Sequence, residues 1–293
     1  MMDEQTAAAI RDIGNVIAPD RAKATDTVYA PLHDLAPFGD VVIERDFVYG
    51  DHPRHRLDVF SPKAVSPEKL PVLVFVHGGN FVAGQKHTEG SPFYDNVGAW
   101  AVRHGFIGVT ISYRLAPAAQ YPSGIEDLNA VVAWLRSNIG TLNGNPDHIV
   151  LMGASAGAIH VASYLAAAAL DEAPVAGTIL LSGLYDLTVV PRERVLDNYY
   201  GTKRDLAPVS PLPGLVQSAV PIMVVVTEMD PPEHQRQFLG LAQALLERNG
   251  QLPRMVYLAG HNHFSEVVHL GTDDEVLGTE LASFVRGLGK ETG

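Results

Sequence analysis

Gly153-Ala154-Ser155-Ala156-Gly157 lies between the apolar run Ile149-Val150-Leu151-Met152 and a helix-forming stretch that begins Ala158-Ile159-His160-Val161. A serine on a sharp strand-to-helix turn has its hydroxyl exposed above the sheet, and small neighbours relieve the crowding such a turn imposes. The helix that follows offers backbone N–H groups to developing negative charge. The chemistry this allows is attack of the Ser155 hydroxyl on a carbonyl carbon, given a base for its proton and donors for the oxyanion.

Donors and base are sought at other strand ends. His77-Gly78-Gly79-Asn80 closes the run Val72-Leu73-Val74-Phe75-Val76, and its glycines let the chain bend close to a reacting carbonyl. The Gly78-Gly79-Asn80 loop, with the N–H of Ala156 after the serine, forms the expected oxyanion hole. Thr227-Glu228-Met229-Asp230-Pro231-Pro232 follows another apolar run and offers two carboxylates. Ala259-Gly260-His261-Asn262-His263-Phe264 offers two imidazoles. A base needs a third group to orient it, and the order serine, carboxylate, histidine supplies one. On spacing alone Glu228 stands beside Asp230, and His261 beside His263, as candidates.

These groups need a rigid frame. Eight runs rich in β-branched residues are read as strands near Val41 to Val48, Leu57 to Phe60, Val72 to Val76, Ile107 to Ser112, Ile149 to Met152, Ala176 to Leu181, Ile222 to Thr227 and Met255 to Leu258. Helical periodicity between them predicts an α/β fold, a mostly parallel sheet flanked by helices on both faces. The inner runs are continuously apolar, as strands buried on both faces must be. Gly50, Asp51 and Pro53 between the first two predict an antiparallel hairpin at one edge. One helix is expected from Ser123, as its cap, to just before Gly140. A second spans Glu233 to Arg248, with Phe238, Leu241, Ala242, Leu245 and Leu246 on its apolar face and Gly250 as its stop. A last helix is expected from Asp274 to Val285. Residues 1–40 and the proline-rich stretch from Gly183 to Val220 break the alternation. Segments this long inside a compact domain are expected to be lids or binding loops, here above the substrate pocket.

Tyr113-Arg114-Leu115-Ala116-Pro117, then Tyr121-Pro122 and Asp127, complete a pattern with the serine and glycine motifs. From about Pro53 onward the chain resembles the hormone-sensitive-lipase-like branch of the α/β-hydrolase carboxylesterases. The resemblance implies an α/β-hydrolase fold with a small helical cap: an N-terminal cap segment over 1–40, and a catalytic domain over 41–293 with a cap insertion about 184–220. It favours Asp230, which precedes a proline as in that branch, and implies that Asp127 supports the oxyanion loop. Two departures stand out. Asn80 replaces the usual third glycine, which puts an amide in or beside the acyl pocket, and His-Asn-His-Phe replaces His-Gly-Phe. His263-Phe264 followed by Glu266, Val267 and Val268 is similar to the ending of kynurenine formamidases, which share the fold and triad. That likeness favours His263 as base and leaves His261 a loop histidine. The function implied is a serine carboxylesterase that cleaves small or short-chain esters through an acyl-enzyme, with Ser155, Asp230 and His263 catalytic. Arylformamidase is the alternative. A non-catalytic small-molecule receptor is a third class, set against by the retained histidine.

Composition narrows the partners. Lys plus Arg total 21 against 33 Asp plus Glu, and a net charge of -12 disfavours nucleic acid, which needs clustered cations. The absence of cysteine excludes disulfides, thiol catalysis and thiolate-held zinc. His261 and His263 lack further ligands in the sequence, so neither metal nor cofactor is expected, and His87, His104, His148, His160 and His269 are read as structural. No stretch has the length and apolarity of a membrane span. Asp3 and Glu4 stand where an export signal carries lysines, which makes cytoplasmic location the default expectation. The expected partner is a small-molecule ester. An exposed apolar face on the last strand or helix could make a homodimer. Tyr29, Phe81, Trp100 and Tyr185 are candidate pocket aromatics, and spacing assigns no substrate-binding residue.

Overall fold

Strands β1 (Val41–Val48) and β2 (Arg56–Pro62) form the expected antiparallel edge hairpin. They join β3 (Leu70–Val76), β4 (Ile107–Ser112), β5 (Gly144–Ala154), β6 (Gly177–Leu181), β7 (Ile222–Met229) and β8 (Arg254–Asn262) in one sheet of order β1-β2-β4-β3-β5-β6-β7-β8. Pairing is antiparallel for β1 with β2 and β2 with β4, and parallel for all the rest. The structure, a computed structural model, describes residues 2–64, 66–168, 174–191 and 194–288. Residues 192 and 193 of the expected cap insertion, and 289–293 at the end of the expected catalytic domain, lie outside the described residues.

The continuous apolarity of β3 follows from its two covers. Val72, Val74 and Val76 face a core shared with α4 (Ser123–Asn138), α5 (Ala156–Ala167) and α8 (Pro232–Asn249). Leu73 and Phe75 face the opposite core, with α3 (Asp95–Arg103), α9 (Ser265–Val268) and α10 (Val276–Gly287). Period-two alternation thus needs an apolar residue at every position. On α4, Leu128, Val131, Val132 and Leu135 are buried, each contributing about 1.5–3 kcal/mol of burial.

Some expectations shift. Pro122, not Ser123, occupies the cap of α4, and the Ser123 hydroxyl is buried inside the first turn. Leu246 lies on the outer face of α8 with Leu239, seven residues earlier, and both are exposed. α8 ends at Gly250, in the left-handed conformation (φ 71°), as expected. β5 begins at Gly144 because that residue pairs with Leu70, a backbone contact that hydropathy does not register. α10 starts at Val276, since Asp274 turns its carboxylate to His261.

Two chain segments lie outside the strand–helix alternation. The first holds α1 (Glu4–Ile13), whose Asp3 cap accepts the Thr6 N–H at 2.9 Å, and α2 (Pro19–Tyr29). Ile10 and Tyr29 pack with Phe93 and Val268, so the segment folds back onto the domain. The second holds α6 (Arg194–Tyr200) and α7 (Leu212–Gln217) joined by turns, as its prolines predicted. No helix among the described residues is long and apolar enough to cross a membrane.

β3 leads to β4 on one side and β5 lies on the other, so the sheet order reverses between β3 and β5. Crevices form outside the carboxyl ends of strands at such a point. The glycine loop leaves β3 and the serine leaves β5 at that place.

Candidate active site

Ser155 is the single residue between β5 and α5, with φ 53° and ψ −119°. Left-handed backbone at a non-glycine residue is strained and persists only where packing enforces it. Here the enforcement is close contact. A Cβ on Gly157 would lie 2.1 Å from the Val76 carbonyl oxygen, and one on Gly153 2.4 Å from that of Gly157. The start of α5 is therefore pressed onto the end of β3. The Ser155 N–H donates to the Leu181 carbonyl at 2.9 Å, which ties the turn to β6.

Beside it, Gly79, Asn80 and Phe81 have φ of 118°, 53° and 65° in succession, and the Val82 and Ala83 N–H groups both close on the Gly79 carbonyl at 3.0 Å. Among the described residues nothing accepts from the N–H of Gly79 or Asn80. Gly78 lies flat against the serine, since a Cβ there would be 3.2 Å from that of Ser155. The loop is anchored from behind. His77 Nδ1 bonds the Gly78 carbonyl at 2.6 Å, and its ring stacks on Tyr113, whose hydroxyl donates to the His77 carbonyl at 2.9 Å. Burial pushes His77 down to about 4, so it stays neutral. Asp127 accepts from the Arg114 N–H at 2.8 Å, from Arg114 Nε at 2.6 Å, and bonds His55 Nε2 at 3.0 Å. It thus holds the segment that carries Tyr113, while Arg114 also reaches Glu126.

Asp230 follows β7 and is buried. Its Oδ1 accepts His263 Nδ1–H at 2.6 Å, and its Oδ2 accepts the Thr227 N–H at 2.8 Å and the Ser182 hydroxyl at 2.5 Å. Burial alone would raise this carboxyl. The charge of His263 and the bonds from His263, Ser182 and Thr227 outweigh it and hold Asp230 down at about 2. With Nδ1 donating, the His263 lone pair lies on Nε2, which is buried and has no hydrogen-bond partner among the described residues. Ser182 reaches a second carboxyl, Glu266 Oε2, at 2.6 Å. Complete burial, then the nearby charge of Asp230, pushes Glu266 well above the usual carboxylate range despite the Ser182 bond.

The rival candidates are engaged elsewhere. The Glu228 carboxylate accepts the Gly260 N–H at 2.7 Å, and His261 bonds Ser265 and Asp274 at 3.1 and 3.2 Å. Phe81 lines a cavity next to Ser155, whereas Tyr29, Trp100 and Tyr185 are buried in the core and do not. His104, His148 and His269 bond backbone carbonyls, and His87 faces Asp95. Among the described residues no three side chains are grouped to hold a metal.

Two cavities meet at Ser155. One, of about 240 Å³, is bounded by Asn80, Phe81, Ile159, Leu184, Leu196 and His234. The other, of about 170 Å³, is bounded by Asp26, Tyr94, His263, Phe264 and Val267 and shares Asn80 and Ile17 with the first. Sequence reasoning missed Asp26, Ser182, His234 and the contact of Glu266. His234 packs edge-on to His263 at 4.9 Å, and burial followed by the His263 charge lowers it to about 3. Only Ser182 carried a readable signal, its place at the carboxyl end of β6.

A family model described as BD-FAE matches residues 57–232, more than half of the chain. Esterase LipC of Mycobacterium tuberculosis is 28% identical over 284 residues, covering 80% of this chain and 68% of that protein. Esterase LipQ of the same organism is 30% identical, covering 64% of this chain and 46% of its own length. The chain therefore spans about two thirds of the first relative and less than half of the second. An esterase from the bacterial hormone-sensitive lipase (HSL) family superposes with TM-score 0.70 at 22% identity, covering 98% of this chain and 99% of that one. At that identity the likeness concerns the fold.

Proposed function

The chain belongs to the BD-FAE family and is a carboxylic ester hydrolase, and we propose that it works as a serine esterase with Ser155 as nucleophile, His263 as base and Asp230 as orienter. The observation that carries this reading is the Asp230–His263 bond at 2.6 Å, which fixes the tautomer whose Nε2 is free to take a proton, in the cavity that Ser155 lines.

His263 Nε2 takes the Ser155 proton as Oγ bonds the ester carbonyl carbon. The carbonyl oxygen, now negative, is met by the N–H groups of Gly79, Asn80 and Ala156, while Gly78 lets their loop lie against the serine. The carbon–oxygen bond to the alcohol breaks, and the departing oxygen takes the proton from His263. Water repeats the sequence on the acyl-enzyme: His263 takes its proton, the acid leaves, and Ser155 recovers its own. Since His263 hands its proton to the alcohol, the alcohol lies in the cavity that includes His263, and the acyl group in the one beyond Asn80. A volume of about 240 Å³ suits short acyl chains.

Residues 1–40 and 184–220 are proposed to cap the site. Ile17 borders both cavities, Leu184, Val190, Pro191 and Leu196 border the acyl one, and Asn262 donates to Thr25 Oγ1 at 3.1 Å, which ties α2 to the histidine loop. The test is covalent: a p-nitrophenyl phosphonate should release one equivalent of nitrophenol and label Ser155 alone by peptide mapping. Label on another residue, or none, rejects the assignment.

A further inference from the structure

Ala22 and Asp26, four residues apart on α2, share one helix face and border the cavity that holds Ser155 and His263. Among the described residues the Asp26 carboxylate has neither a hydrogen bond nor an ion pair. Burial raises it to about 6, so it is ionised at neutral pH. The carboxylate sits inside the site, in the cavity that Tyr94, Ser155 and His263 also line. Arg54 borders the adjoining cleft together with Asp26 but gives its Nε to the Tyr113 carbonyl and its Nη2 to that of Gly84, both at 2.6 Å. The other titratable groups of the cavity do not neutralise it: Tyr94 and Glu266 are held protonated, and His263 faces Asp230. A half-buried carboxylate without a partner is costly to keep unless a ligand supplies one. The aromatic rings of Tyr94 and Phe264, which line the same cavity, would favour a cation over a neutral group of the same shape.

We propose that this cavity binds a positively charged alcohol group against Asp26, so that esters of amino alcohols are preferred over neutral esters of the same shape. The proposal rests on the serine-esterase reading, which places the alcohol on the His263 side. Choline acetate and its uncharged isostere 3,3-dimethylbutyl acetate are each added as competitors of p-nitrophenyl acetate hydrolysis, with wild type and with Asp26→Asn. Competition measures binding whether or not the competitor turns over. The expected result is an inhibition constant about tenfold lower for choline acetate in the wild type, the preference vanishing in Asp26→Asn while that for the neutral ester holds within about twofold. Equal constants in the wild type, or a preference that survives Asp26→Asn, overturn the proposal. No hydrolysis of p-nitrophenyl acetate by the wild type would instead remove the esterase reading, and this inference with it.

Discussion

Asp230 and Glu266 are joined through one hydroxyl, that of Ser182, which lies 2.5 Å from the first carboxyl and 2.6 Å from the second. A hydroxyl has one hydrogen to give, so the second short contact needs a proton on the other side. Asp230 is held ionised by His263, and Glu266 is pushed up by burial; Glu266 therefore carries the proton and donates to Ser182, which donates to Asp230. The carboxylate bonded to His263 is thus braced by a neutral carboxyl.

Glu266→Gln should keep kcat within about threefold, because an amide N–H can replace the carboxyl proton toward Ser182, while Glu266→Leu should lower kcat about tenfold by leaving that hydroxyl without its donor. The infrared band of a buried protonated carboxyl at pH 7 should disappear in the glutamine variant. Equal damage from both substitutions would mean that the charge of Glu266, and not its proton, matters.

Asn80 stands between the two cavities in a left-handed conformation that glycine adopts without strain. Asn80→Gly should raise the kcat/KM ratio of hexanoate over acetate esters about tenfold or more, the scale of one methylene gaining room in an apolar pocket. Stability measured by urea unfolding should change by less than about 1 kcal/mol. An unchanged chain-length profile would place the Asn80 side chain away from the acyl group.

His160 is fully buried among Phe81, Tyr113 and Tyr199, and burial lowers it to about 3. The unfolded chain binds its proton below about pH 6.5 and the folded one does not, so the fold loses stability as pH falls below that value and continues to do so until the folded group titrates. At pH 5.0 one such histidine costs about 2 kcal/mol. The stability lost between pH 7.5 and 5.0 should be smaller by that amount in His160→Phe, and an identical loss would contradict a neutral buried His160.

How much was legible beforehand varied with the kind of signal. Val72–Val76 and Ile222–Val226 announce themselves because burial on both faces demands apolar residues throughout, and the strand ends then deliver Ser155, Asp230 and His263 to one edge. Choosing Asp230 over Glu228 and His263 over His261 required family likeness, since either pair could reach on spacing alone. Ser182, His234 and Asp26 come from three elements that no local pattern joins. Their roles depend on which strand ends and helices are neighbours, and that is set by tertiary packing. Leu246 was misplaced for a related reason: on an eighteen-residue helix the apolar stripe drifts, and Leu246 falls on the outer side with Leu239.

Hydrolysis through Ser155 is tested by the rate on p-nitrophenyl esters from acetate to dodecanoate for wild type and Ser155→Ala. Short-chain esters turned over by the wild type, with a loss of at least about 10³-fold in a Ser155→Ala protein that retains its melting temperature, is the predicted result. Comparable rates from the two proteins would rule out Ser155 as the nucleophile.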